Sequence, residues 1–170
     1  MAIVKKSSYM GGGSAGSIPW ELNDDTLDKL SDPSIRLTNF TIQYGLRINK
    51  ITWSYSNGDK FESAGSNASE QHSMALDVNN ERIFSVTVGQ AHSLHGDTVG
   101  YMGLGIINIH NDRSSFIPNG YCNSNSEHND PLSTFTAFYL PRWEIIGFYG
   151  TGENEVHQIG VYFRELSVMD

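Results

Sequence analysis

MGGGSAGSIPW, residues 10–20, sets the first choice between fold classes. Gly12-Gly13-Ser14-Ala15-Gly16 fits the G-x-S-x-G of a nucleophile elbow, and Gly11, Gly13 and Gly16 fit the G-x-G-x-x-G of a dinucleotide-binding turn. Either reading commits the chain to an α/β fold. The elbow needs a strand before the serine and a helix directly after it, yet Gly16 is followed by Ser17-Ile18-Pro19-Trp20. The nucleotide turn needs a βαβ unit, and no long helical pattern follows to build one. The glycine run therefore belongs to another kind of chain, and no catalytic residue is assigned to it.

Outward from the glycines the apolar residues alternate, the period of a strand. Phe40, Ile42 and Tyr44 share one face, as do Leu46 and Ile48, then Ile51, Trp53 and Tyr55. The pattern returns at Phe84, Val86 and Val88, at Met102, Leu104 and Ile106, and at Val161 and Phe163. The parity slip between Leu37 and Phe40 predicts a β-bulge. Asn57-Gly58-Asp59, Asn79-Asn80 and Asn111-Asp112 read as turns. Only Trp20 to Leu30 reads as helix, with Leu22, Thr26 and Leu30 four apart and Pro33 as a stop. The longest interruption is the polar, Asn-rich stretch 117–131, a length that marks a functional or mobile loop.

Composition narrows the partners. The 170 residues are 38% hydrophobic and 18% charged, a folding composition for one domain. Against 19 acidic residues stand 11 Lys and Arg, a net charge of −8. That balance argues against nucleic acid and anionic membrane surfaces as partners. Cys122 is the single cysteine, so neither an intrachain disulfide nor a cysteine-rich zinc site forms. Six histidines raise the question of another metal. The nearest approach to a ligand set is His92-Ser93-Leu94-His95 with Asp97, but residues i and i+3 of a strand point to opposite faces. No metal or cofactor is expected. MAIVKKSSYM has no apolar core of a signal peptide and no stretch reaches membrane-spanning length. A cytoplasmic protein, or one exported without a leader, is the expectation.

A weak repeat runs through the chain. Ile51, Ile106 and Ile159 stand 55 and 53 residues apart in similar surroundings (106 − 51 and 159 − 106). Phe61 and Phe116 keep the 55-residue offset. A fixed period of that size implies one supersecondary unit used three times, each needing its neighbours to bury its apolar face.

The chain resembles the jacalin-related lectins. In that family a Gly-rich turn leads to an aromatic residue near acidic ones, here Gly11 to Gly16 and then Trp20-Glu21. A Tyr-Gly turn follows, as in Phe40-Thr41-Ile42-Gln43-Tyr44-Gly45. The strand pair 76–86 ends in Phe84-Ser85-Val86. The closing segment is the most specific: Ile146-Gly147-Phe148-Tyr149-Gly150, then Gln158-Ile159-Gly160-Val161-Tyr162-Phe163. The resemblance covers essentially all of residues 1–170 and implies a single lectin domain. Its fold would be all-β, a β-prism of three four-stranded antiparallel sheets about a pseudo-threefold axis. It implies non-covalent binding of glycans of mannose or galactose type, without enzyme activity, and leaves a homo-oligomer open. The glycine turn would be one wall of the sugar pocket, with Gly11 and Gly12 donating backbone N–H groups.

The second wall departs from the family. Its loop reads G-x-x-x-D before the closing Ile-Gly. Counting back from Ile159-Gly160 puts Glu153 at the glycine and His157 at the aspartate. A carboxylate accepts through two oxygens, whereas a neutral imidazole offers one acceptor and one donor. Losing such an interaction costs about 1.5–3 kcal/mol. Three readings stay open. His157 with the amides of Asn154 and Glu155 binds a sugar, with His92 and His95 on a neighbouring loop and Tyr149 or Tyr121 stacking. Alternatively the sugar sits at a pseudo-symmetric corner, where Gly45 to Asn49 fits G-x-x-x-D with Asn for Asp. In the third the prism has lost its monosaccharide site and is an interaction module for a protein or other ligand, reached through 117–131.

Overall fold

The computed structural model describes residues 1–13, 17–45, 47–93, 96–111, 114–117 and 132–166; residues 92, 93, 96, 114–117 and 132–134 are described by backbone alone. In chain order the strands are β1 (Val4–Lys6), β2 (Met10–Gly11) and β3 (Ile18–Trp20). The helix α1 (Asp24–Leu30) follows, then β4 (Leu37–Tyr44), β5 (Ile48–Tyr55), β6 (Lys60–Glu62) and β7 (Glu70–Ala75). The chain continues with β8 (Glu81–Ser93), β9 (Gly96–Asn108), β10 (Ser114–Ile117), β11 (Leu132–Tyr139), β12 (Trp143–Gly152) and β13 (Val156–Glu165). The all-β expectation holds, with one short helix.

The expected three separate four-stranded sheets are not what the ladders form. They join into two sheets, one of four strands in the order β6-β5-β4-β7 and one of nine. The larger sheet is continuous because Ile145 of β12 pairs with Ile83 of β8, the only register pair between those strands among the described residues. On either side of that bridge lie two strand groups. In one, β9 and β11 flank β8 and β10 adds to β9. In the other, β13 and β3 pair with β12, while β1 and β2 pair with successive parts of β13.

The 55- and 53-residue spacing has a physical counterpart in this connectivity. Ile51, Ile106 and Ile159 lie on the second strands of the hairpins β4–β5, β8–β9 and β12–β13, and all are buried. Phe61 and Phe116 lie on β6 and β10, which pair with β5 and β9. The core forms where these hairpins face each other. Phe148 of β12 packs on Phe40 at 5.0 Å and edge-on to Trp53 at 5.3 Å between ring centroids. Aromatic pairs in these tilted and edge arrangements add about 0.5–1.5 kcal/mol beyond their burial.

The predicted slip at Leu37 is present as a register shift between Leu37 and Asn39. A second shift, between Ile83 and Ser85, was not foreseen. It sends Ile83 into the core and turns Phe84, expected beside Val86 and Val88, towards Tyr139 on the other face. The helix starts where Asn23 accepts a hydrogen bond from the Thr26 amide at 2.8 Å, with Asp24 and Asp25 in its positively polarised first turn. Leu22, Thr26 and Leu30 are buried as their spacing predicted.

Below α1 lies a buried ion cluster. Arg164 Nε donates to Glu144 at 2.8 Å, and Arg82 meets the other Glu144 oxygen at 3.3 Å. The Arg164 guanidinium also donates to the carbonyls of Leu30, Asp32 and Ile35 at 2.6, 2.8 and 2.8 Å. It thereby ties the end of the helix to β13.

The Asn79-Asn80 turn is held by Asp77. Its carboxylate accepts from the Asn80 side chain at 2.5 Å and the Asn79 amide at 3.1 Å. These bonds favour the ionised form and hold the Asp77 pKa below its ordinary value. A pKa depressed on folding contributes stability above the unfolded value, about 3.9, and loses it as pH falls through the folded one. Asp77→Asn is expected to flatten the acid limb of stability, read as urea midpoints between about pH 5 and pH 2. An unchanged limb would remove Asp77 from the acid response.

Candidate functional site

Three chain segments meet at one end of the sheets. Gly11 pairs with Gln158 at the start of β13, and Met10 pairs with Ile159. Gly11 holds φ +94°, a left-handed backbone that glycine adopts without strain. A Cβ there would lie 3.0 Å from the His157 carbonyl oxygen and 3.0 Å from a Val99 methyl. At Gly12 the constraint is closer still, because an added Cβ would sit 2.0 Å from the Cβ of Asp97. Asp97 is opposite His92 at the tip of the β8–β9 hairpin. The glycine turn is thus threaded between the hairpin tip and the start of β13, its bare backbone against both.

His157 stands beside this turn but is not displayed to solvent. It is 7% exposed, and its Nδ1 lies 2.5 Å from the Ser17 hydroxyl. Ser17 escaped the sequence reading. Its only signal was a hydroxyl directly after the glycine run, and nothing in the local pattern tied it to a residue 140 positions away.

Tyr149 does not offer a stacking face. It is 4% exposed, with its hydroxyl donating to the Ser7 carbonyl. Its ring packs on Tyr9 at 5.1 Å and Tyr162 at 5.3 Å, with Lys6 Nζ 4.1 Å from its centroid. Burial pushes the phenol pKa up. The stacking role expected of Tyr149 is corrected to a packing one. Tyr121 and His95 lie outside the described residues, as do 118–131 of the long loop, and His92 is placed by backbone alone.

The amides of Asn154 and Glu155 are the groups expected at a sugar, while the Asn154 carbonyl and the Glu155 carboxylate bond to the protein itself. The Asn154 carbonyl accepts from the Ser66 amide at 3.0 Å and its hydroxyl at 2.8 Å. The Glu155 carboxylate pairs with Arg47 at 3.1 Å, both side chains mostly buried. Arg47 belongs to the second candidate corner, Gly45 to Asn49. There the Gly45 amide donates to the Arg47 carbonyl at 3.1 Å, and a Cβ on Gly45 would lie 3.6 Å from Asn49 Oδ1. Asn49 Nδ2 reaches Ser66 Oγ at 3.5 Å, the limit of a hydrogen bond. The two corners that the sequence treats as alternatives are therefore physically joined through the 153–155 turn.

Among the described residues, no three His, Cys, Asp or Glu side chains gather as a metal set would. No described helix is long and apolar enough to cross a membrane.

An all-β chain with a glycine turn laid against its last strand defines a class of fold, and its family follows. Residues 8–162 match the model of the jacalin-like lectin domain, and the chain belongs to that family. The fold is similar to that of wild-type Malaysian banana lectin, with a TM-score of 0.67 at 20% identity over 97% of this chain and 99% of that one. It is similar also to a mannose-binding jacalin-related lectin from Ananas comosus, with a TM-score of 0.69 at 17% identity over 95% and 98% of the two chains. A third is a mannose-specific jacalin-related lectin from Morus nigra, solved in complex with mannose, with a TM-score of 0.66 at 16% identity over 95% and 94%. No curated protein matches the chain in sequence.

Proposed function

We propose that this protein is a lectin that binds glycans non-covalently at the end where the glycine turn, the β8–β9 tip and the 153–157 turn meet. The observation that carries the reading is the fit of Gly11 and Gly12, whose bare backbones lie where a side chain would strike His157, Val99 or Asp97. Such a turn presents amide donors close to a ligand. Mannose-type sugars are the favoured class, in keeping with the mannose-binding lectins of similar fold. In the same reading, the nine-stranded sheet is two faces of a three-sided prism, hinged at Ile83 and Ile145, and β6-β5-β4-β7 is the third.

One observation favours the alternative, an interaction module whose monosaccharide site is retired. The position of the family's acidic acceptor holds His157, whose ring is buried against Ser17. Glu155, the nearest carboxylate in the turn, is engaged by Arg47.

A glycan array of the wild type beside the double variant His157→Asp, Glu153→Gly separates the two. Aspartate at 157 restores acceptor oxygens and can still accept from Ser17. The variant is expected to bind mannose-type glycans roughly 10- to 150-fold tighter than the wild type, the equivalent of about 1.5–3 kcal/mol. Binding by the variant alone would establish a retired first site on a lectin scaffold. Silence from both proteins would discard the lectin reading in favour of the interaction module.

A further inference from the structure

The outer face of the sheet β6-β5-β4-β7 carries a depression that neither candidate corner uses. Its volume is about 890 Å³, and Asn39, Thr41, Thr52, Ser54, Lys60 and Glu62 are among the residues that line it. That size falls within the range of about 300–1,000 Å³ usual for small-ligand sites. The ladders set its layout. Register brings Ser73, Thr41, Thr52 and Glu62 into one row across the four strands, and Asn39, Ser54 and Lys60 into the next. Alternation sends Phe40, Ile42, Ile51 and Trp53 to the core, so both rows face outward. The corner at Gly45 to Asn49 is at a distance, because Ser54 lies five residues beyond Asn49 on β5, about 17 Å of strand.

Most polar groups of this face bond to one another. Thr41 and Ser73 share a hydrogen bond at 2.9 Å, and Thr38 and Ser54 share one at 3.3 Å. Asn39 Nδ2 donates to the Thr38 hydroxyl at 3.1 Å. Lys50 Nζ lies 3.4 Å from the Glu62 carboxylate and offsets its charge. Three groups are left over. Among the described residues, the Thr52 hydroxyl, Asn39 Oδ1 and Lys60 Nζ have no hydrogen-bond or ion-pair partner. Asn39 and Lys60 flank Ser54 in one row, and Thr52 stands in the adjacent row.

We propose that this depression binds a sugar acid, an oligosaccharide in which one residue carries a carboxylate. The unpaired Lys60 ammonium is a donor for one anionic group, and a charge-assisted bond of this kind is the strong one. Asn39 Oδ1 accepts from a ring hydroxyl, while the Thr52 hydroxyl both donates and accepts. The threonine methyls of the floor give ring C–H groups an apolar surface. Charge limits the occupant at the other end. With one uncompensated cation here and a net charge of −8 over the chain, a polyanion is repelled where a single carboxylate is held. The site is independent of the glycine turn and adds a second glycan chemistry to a second face.

Backbone-amide NMR of the full chain tests the site with a matched pair of probes, glucuronyl-β-1,4-glucose and cellobiose, which differ by one carboxylate. The acidic disaccharide is expected to shift the amides of Thr52, Ser54 and Lys60, and to do so less as salt is raised. Cellobiose and sodium acetate are each expected to bind more weakly. Lys60→Gln is expected to weaken the acidic disaccharide about two- to fivefold, the range of an exposed ion pair. Thr52→Val, which keeps the shape and removes the hydroxyl, is expected to weaken it about two- to tenfold. The amide spectrum of each variant shows that the fold is kept. Shifts confined to Gly11, Gly12 and Gly13 would overturn the proposal, as would affinity that both variants leave unchanged. Equal binding of cellobiose would overturn the acidic class, and equal binding of acetate would reduce the depression to an anion contact. A sheet face that does not respond at all overturns this site and leaves the reading at the glycine turn standing.

Discussion

Arg164→Met is expected to lower the free energy of unfolding by about 3–5 kcal/mol, the usual cost of removing one partner from a buried ion pair. Arg164 is 0% exposed, and its guanidinium is the meeting point of Glu144 and the carbonyls of Leu30, the last residue of the helix, and of Asp32 and Ile35 just beyond it. Methionine fills much of the volume but donates nothing. Glu144 would keep only Arg82, at 3.3 Å, and the carbonyls of Asp32 and Ile35 would lose this donor, as would the buried carbonyl of Leu30. Against a typical total of about 5–15 kcal/mol this is a large loss. Urea denaturation would read it as a lower midpoint at unchanged slope. Arg164→Lys keeps the charge without the planar fork and is expected to fall between the two. The double variant Arg164→Met, Glu144→Met removes the stranded carboxylate and is expected to recover part of the loss. A single variant with the wild-type midpoint would contradict the role given to the cluster.

Gly12→Ala is expected to weaken glycan binding by about tenfold or more, roughly 1.4 kcal/mol, with the fold retained. The new Cβ would fall 2.0 Å from the Cβ of Asp97, where about 3.0 Å is the closest approach that side chains show, so the turn or the hairpin tip must move by about 1 Å. Binding sites need their donors held within about 0.5 Å of the productive geometry. Asp97→Gly in the same chain removes the atom that the added methyl would strike and is expected to restore part of the affinity. Titration calorimetry with an oligomannoside reports the affinity, and a thermal melt shows whether the fold survives. Undiminished binding by Gly12→Ala would remove the glycine turn from the ligand site.

What could be read in the sequence was whatever a single strand or turn expresses alone. The alternation in β4, β5 and β9 marked Phe40, Ile42, Ile51, Trp53 and Leu104 as core, and the slip at Leu37 announced its own bulge. The spaced isoleucines were legible because each hairpin solves the same burial problem. What stayed hidden depends on pairs distant in sequence. The bulge at Ile83 to Ser85 arises in the β8–β9 ladder, so the Phe84 parity looked regular. In β12, Glu144 to Gly150 is buried on both faces, so Tyr149 had no polar partner to reveal that its ring was enclosed. The joining of sheets at Ile145, the buried Arg164 and the contact of Ser17 with His157 follow the same logic. Of the candidate site, the glycine run and the 153–157 turn were singled out through the family resemblance, but the packing of Gly11 and Gly12 against His157, Val99 and Asp97 and the side-chain partners of the turn were not legible.

The Arg47–Glu155 and Ser66–Asn154 contacts give the two candidate corners a shared free energy. A ligand that draws the 153–155 turn towards the glycines must strain or release contacts made by residues of the other corner. The energy of that release is then missing from, or returned to, whatever binds near Gly45. By thermodynamic linkage the influence is reciprocal, so a ligand at either corner changes the affinity of the other by the same factor. On the proposed reading, ligands at the two corners are expected to titrate as a coupled pair.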